Sequence, residues 1–142
     1  MQPEQQKRIL GYFIEEAKEH LQTIEHSLLN LQGLVEDSDM LDEVFRAAHS
    51  VKGGAAMLGI YSIQHIAHKL EDYFKILKEH PIQVDQQLEA LFLQSFDGLS
   101  ELVEELQGPF GLGDDVAEGA LRQLEPVFTQ LQSHLNGLVG QS

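Results

Sequence analysis

His49, Lys52 and Gly53 stand as His-x-x-Lys-Gly within a run that favours helix, and His68-Lys-Leu-Glu71 follows further along the chain. An imidazole acts as a nucleophile when one ring nitrogen is exposed and the other donates to a carboxylate that fixes its tautomer and orientation. Glu71 is the candidate for that carboxylate and His49 for the nucleophile. An ammonium three residues on, Lys52, can offset negative charge on a phosphoryl group carried by the imidazole. Gly53 and Gly54 sit mid-helix, where each costs about 0.5–1 kcal/mol relative to alanine. Stability does not ask for the pair, so Gly53 admits either a neighbouring helix or a reaction partner. Taken alone, His49 reads more readily as a structural histidine at the edge of a core. Its company is what favours chemistry.

The elements that must position these groups are all helical in period. Leu10, Ile14, Ala17, Leu21, Ile24, Leu28 and Leu31 alternate steps of four and three, the apolar stripe of one long helix opened by Pro3 and closed near Gly33. Leu41, Val44, Ala48, Val51, Ala55 and Leu58 mark a second, with Ser38 or Asp39 as its cap and Gly59 as its end. Ser62 is placed to cap a third, striped by Ile63, Ile66, Leu70, Tyr73 and Leu77 and stopped at His80-Pro81. Asp85 starts a fourth, whose inward residues are Leu88, Leu91, Phe92, Phe96, Leu99, Leu102, Val103 and Leu106. The breaker-rich stretch 108–113 then leads to a last helical segment, 114–138, carrying Leu121, Leu124, Phe128, Leu131, Leu135 and Leu138. Pro126 removes one backbone donor there, which predicts a kink or two abutting helices.

The expected fold is therefore all-α, an antiparallel up-down four-helix bundle over about residues 4–107 with an additional C-terminal helix, forming one domain over 1–142. With the turn between the second and third helices centred near Ile60, residues whose numbers sum to 120 share a level. His49 should then face Glu71, and Lys52 should face His68. Gln64, His68, Glu71, Lys75 and Lys78 form one polar ridge beside the third helix's buried stripe.

Composition removes whole classes of function. The 142 residues contain no Cys, which excludes disulfides, thiolate metal sites and cysteine nucleophiles. No apolar run approaches the ~20 residues of a membrane span. A formal charge of −14 opposes binding to nucleic acid or anionic lipid. The charge is uneven. Between Arg46 and Lys78 five bases meet two acids, whereas the rest of the chain sets four bases against twenty-one acids. His65 and His68 share a helix, but no histidine follows a glutamate by three residues as di-iron bundles require. His20, His26, His80 and His134 are read as surface residues.

Phe45-Arg-Ala-Ala-His49-Ser-Val-Lys52-Gly53-Gly-Ala-Ala-Met-Leu-Gly59, joined by His68-Lys-Leu-Glu71, resembles histidine-containing phosphotransfer (HPt) domains, and most of all the N-terminal phosphotransfer domain of chemotaxis-type histidine kinases. The resemblance covers about residues 4–107. Gly54 stands where many members carry Ser, and Pro126 sets 114–138 apart from the family's extra helix. It implies a phosphorylated His49, a neighbouring Lys52, a close-approach Gly53 and a His68/Glu71 pair hydrogen-bonded near the acceptor, with Arg46, Gly53, Gln64 and Lys75 meeting partners. It further implies a cytoplasmic carrier of two-component signalling, monomeric as an isolated domain. A histidine-kinase ATP-binding domain would charge it, and a response-regulator receiver domain would discharge it. No P-loop, kinase module or receiver-like acidic site is visible, so ATP and Mg²⁺ belong to the partner kinase domain and no cofactor or metal is expected here. A docking module that keeps the fold and binds the same partners without carrying phosphate is the alternative. The initiator-like Met1 and the closing Gly-Gln-Ser suit an N-terminal domain cut from a larger kinase at a linker.

Overall fold

The computed structural model describes residues 2–141, which form six helices and no strand. Pro3, with its φ preset and no N–H to lose, occupies the first turn of α1 (Pro3–Leu28). The stripe expected for this helix is buried or packed on the core, joined by Phe13. The helix does not reach Gly33. Asn30 leaves helical geometry and its side chain accepts from Gly33 N–H at 3.2 Å, capping a separate short helix, α2 (Leu31–Val35). A short polar side chain has out-competed the helical ladder, and Leu31 and Leu34 remain buried on the far side of the break.

Asp37, rather than Ser38 or Asp39, caps α3 (Ser38–Met57), accepting from Met40 N–H at 3.1 Å. The helix ends where Gly59 adopts φ +72°, with Gly59 N–H donating to Ala56 O and Ile60 N–H to Ala55 O at 2.9 Å. This is a Schellman turn, and it requires the positive φ that glycine supplies freely. It feeds α4 (Tyr61–Glu79) at once, so Ile60 takes the cap position and Ser62, expected as the cap, is buried within the first turn. Asp85 caps α5 (Gln86–Gln107) through Leu88 N–H at 2.8 Å, as its spacing predicts.

α6 (Asp114–Gln141) runs unbroken across Pro126 rather than as two abutting helices. Pro126 and Arg122, the residue whose carbonyl loses its donor, are both exposed, so water can satisfy that carbonyl. Leu124, Phe128, Leu131 and Leu135 bury the opposite face and hold the helix together.

Neighbours α1, α3, α4 and α5 close a four-membered antiparallel ring, and α6 lies across α4 and α5. Two glycines set how closely helices approach. A Cβ on Gly54 would stand 2.7 Å from the Phe13 ring of α1, and one on Gly98 would collide with Leu124 of α6. The α3–α4 hairpin makes the most extensive contact in the molecule and carries the polar groups of interest.

Candidate functional site

The expected register of α3 against α4 is met at two levels. His49 pairs with Glu71, and Asp42 pairs with Lys78 at 2.7 Å. Glu71 is the centre of the arrangement. Its side chain is only 9% exposed, and it divides its oxygens, Oε2 receiving His49 Nδ1 and Oε1 receiving Lys52 Nζ at 2.7 Å. Burial pushes its carboxyl up, but the hydrogen bonds from Lys52 and His49 and their charges outweigh that, and the net shift is downward. Glu71 is therefore ionised at neutral pH and can only accept. The proton of that contact belongs to His49 Nδ1, so in the neutral ring the lone pair is on Nε2, and the side chain is 63% exposed.

Gly53 stands one turn beyond His49, and a Cβ built on it meets nothing within 4 Å. Of the two readings open for this glycine, packing against a neighbouring helix belongs to Gly54 instead.

Two expectations are refined. Lys52, at the level of His68 in that register, takes its partner one turn along α4. Its long stem carries the ammonium to Glu71, so it stands paired beside His49 rather than as a free cation. Of the His68/Glu71 pair expected near the acceptor, Glu71 holds His49, while His68, one turn nearer the α3–α4 turn, has Asp72 of its own helix at 3.7 Å. Ligand atoms of His68, Glu71 and Asp72 come within 4.8 Å of one another, but both oxygens of Glu71 are already engaged.

Of the remaining candidates, Arg46 is exposed one turn before His49, and Gln64 is half-buried on α4. Lys75 turns toward Glu79 at 3.9 Å. His65 faces α6, meeting Glu125 at 3.3 Å and the Phe128 ring edge-on. His134, read from sequence as a surface residue, is only 20% exposed and joins α6 to the α5 cap, its Nε2 lying 2.8 Å from Asp85 Oδ2. The sequence reading missed Phe45, whose ring stacks on His49 with centroids 6.5 Å apart and planes 13° from parallel. Its position four residues before His49 was the available signal.

A family model described as "Hpt domain" matches residues 8–109. The chain belongs to the Hpt domain family. Among curated relatives, this Hpt domain is 32% identical over 97 residues to the chemotaxis protein CheA of Borreliella burgdorferi, covering 68% of this chain and 11% of that protein. It is 35% identical over 115 residues to the chemotaxis protein CheA of Klebsiella aerogenes, covering 79% of this chain and 18% of that protein. The Hpt domain thus spans less than a fifth of these relatives' length. Its fold is also that of the phosphorylated P1 domain of CheA3 from R. sphaeroides, solved in complex with CheY6, with a TM-score of 0.71 at 23% identity over 92% of this chain and 98% of that one. That coverage exceeds the stretch matched by the family model, so the likeness reaches into α6.

Proposed function

We propose that this Hpt domain is a phosphocarrier. His49 Nε2 takes a phosphoryl group from ATP held by a histidine-kinase ATP-binding domain and passes it to an aspartate of a response-regulator receiver domain. The observation that carries this reading is Glu71 gripping Nδ1 of a side chain that is 63% exposed, one turn from the open space at Gly53. As Nε2 bonds to phosphorus, the bond from phosphorus to the ADP oxygen breaks. Nδ1 keeps its proton, and the positive charge that develops on the ring lies against the Glu71 carboxylate. On discharge the Nε2–P bond breaks, a carboxylate oxygen of the receiver takes the phosphoryl group, and the imidazole returns to neutrality.

Lys52 holds Glu71 ionised and adds positive charge beside the phosphoryl group, while Gly53 leaves room for the incoming domain. Arg46, Gln64 and Lys75 are the proposed contacts for that domain, and His68 lines the approach one turn from Glu71. ATP and Mg²⁺ are bound by the kinase domain, which also supplies the remaining catalytic groups. The setting is the cytoplasm, where ATP is available. The isolated domain is read as a monomer, supported by apolar stripes that are buried within one chain.

Incubation with a histidine-kinase ATP-binding domain and labelled ATP should give an acid-labile phosphoryl label that chases to a receiver domain. His49→Gln should abolish it with helicity unchanged. Label persisting in that variant would move the acceptor to His65 or His68. Binding of both partners without any label in the parent chain would make the protein a docking module.

A further inference from the structure

We propose that Phe45 is a positioning residue for His49, its ring setting the plane of the imidazole so that Nε2 is presented to the phosphoryl donor. The inference rests on His49 being the acceptor. A side chain 63% exposed is not held by packing, and one hydrogen bond, Nδ1 to Glu71, fixes a direction without fixing the plane that rotates about it. The second constraint comes from Phe45, one helical turn earlier and half-buried, whose ring lies nearly parallel to the imidazole at a centroid distance within the offset-stacked range. Phe45 is itself held. Lys78 of α4 places Nζ 4.7 Å from the Phe45 ring centroid, and Asp42 of α3 holds that ammonium at 2.7 Å. The result is a row running Asp42, Lys78, Phe45, His49, Glu71 and crossing three times between α3 and α4. The imidazole is gripped through an edge by Glu71 and against a face by Phe45.

Phosphorylation by phosphoramidate, whose P–N bond breaks to release ammonia as the Nε2–P bond forms, tests this without a protein partner. Phe45→Leu should lower the limiting rate at saturating phosphoramidate by roughly two- to tenfold, the value of a stacked pair, with the half-saturating concentration little changed. Phe45→Tyr, which keeps the aromatic face, should restore the rate. In the unphosphorylated protein, nitrogen NMR of His49 should still report Nδ1–H in Phe45→Leu, while the ring's order falls and its proximity to residue 45 changes. Lys78→Gln should move rate and ring order in the same direction by less, and it serves if Phe45→Leu folds poorly. A wild-type rate in Phe45→Leu, unchanged ring order, or failure of Phe45→Tyr to rescue would overturn the proposal. If the parent chain takes no phosphate on His49, the carrier reading fails instead, and the NMR arm separates the two failures.

Discussion

Glu71 does at residue scale what neither of its partners can do alone: it fixes a tautomer and neutralises a lysine with one carboxylate. Glu71→Ala should therefore slow phosphorylation of His49 by roughly 10–100-fold, as loss of an orienting partner does at metal-bound histidines, and circular dichroism should still report a folded bundle. The glycines divide in the opposite sense. Gly53→Ala enters open space and should be neutral or stabilising by up to about 1 kcal/mol in thermal melts, while transfer to a receiver falls. Gly54→Ala drives a methyl into the Phe13 ring and should cost about 1–3 kcal/mol of stability. A reversed ranking would mean that Gly53, not Gly54, serves helix packing. The pairing of His49 with Glu71 was legible because numbering along an antiparallel hairpin fixes levels. The partner of Lys52 was not, since a four-carbon stem reaches a full turn in either direction and spacing alone does not choose between them.

Periodic burial is the strongest sequence signal at the scale of elements, and it placed every expected apolar stripe on the core. Helix ends at Asn30 and Asp37 are decided by one or two polar atoms, which spacing alone does not choose among. At Ser62 the Schellman turn decides instead, feeding α4 from Ile60 with no side-chain cap. Of the two outcomes open at Pro126, the split did not occur. The cost of the proline depends on whether the orphaned carbonyl meets water or protein, and that of Arg122 lies on the exposed side, opposite the apolar stripe. Asp85 joins two elements, capping α5 and holding His134 of α6. Asp85→Ala should lower stability by about 0.5–2 kcal/mol through the lost cap. Urea melts should show a larger loss than for Asp37→Ala, which removes a cap alone. Gly98, unremarked in the sequence reading, leaves α5 room for Leu124 of α6, and a lone glycine in so apolar a helix was the clue.

For the whole molecule, the carboxyls of Glu71, Asp42 and Asp85 set the acid limit. Glu71 and Asp85 are pushed up by burial yet held low overall by their hydrogen bonds, and Asp42 is lowered chiefly by Lys78. Groups whose folded values are depressed stabilise fully above their ordinary values of 4.5 and 3.8 and lose that contribution as pH falls through the lowered ones. Melting temperature should therefore drop below about pH 4.5, and Glu71→Gln should flatten part of that slope. Charge is also segregated, with net positive charge from Arg46 to Lys78 and, from Glu79 onward, a single base, Arg122, against eleven acids. Association with an acidic partner through the His49 face should slow as salt shortens the screening length from about 30 Å at 0.01 M to about 8 Å at 0.15 M, measurable by stopped flow. The Schellman turn at Gly59 has a consequence for the order of folding. His49, Lys52, Phe45, Glu71 and Lys78 all belong to one hairpin, so a single short loop closure is enough to bring them to their levels without help from α1, α5 or α6. Pulse-labelled hydrogen exchange during refolding should find the α3 and α4 amides protected no later than those of α6. The groups of the site then meet within one helical hairpin, and the remaining helices serve to keep them there.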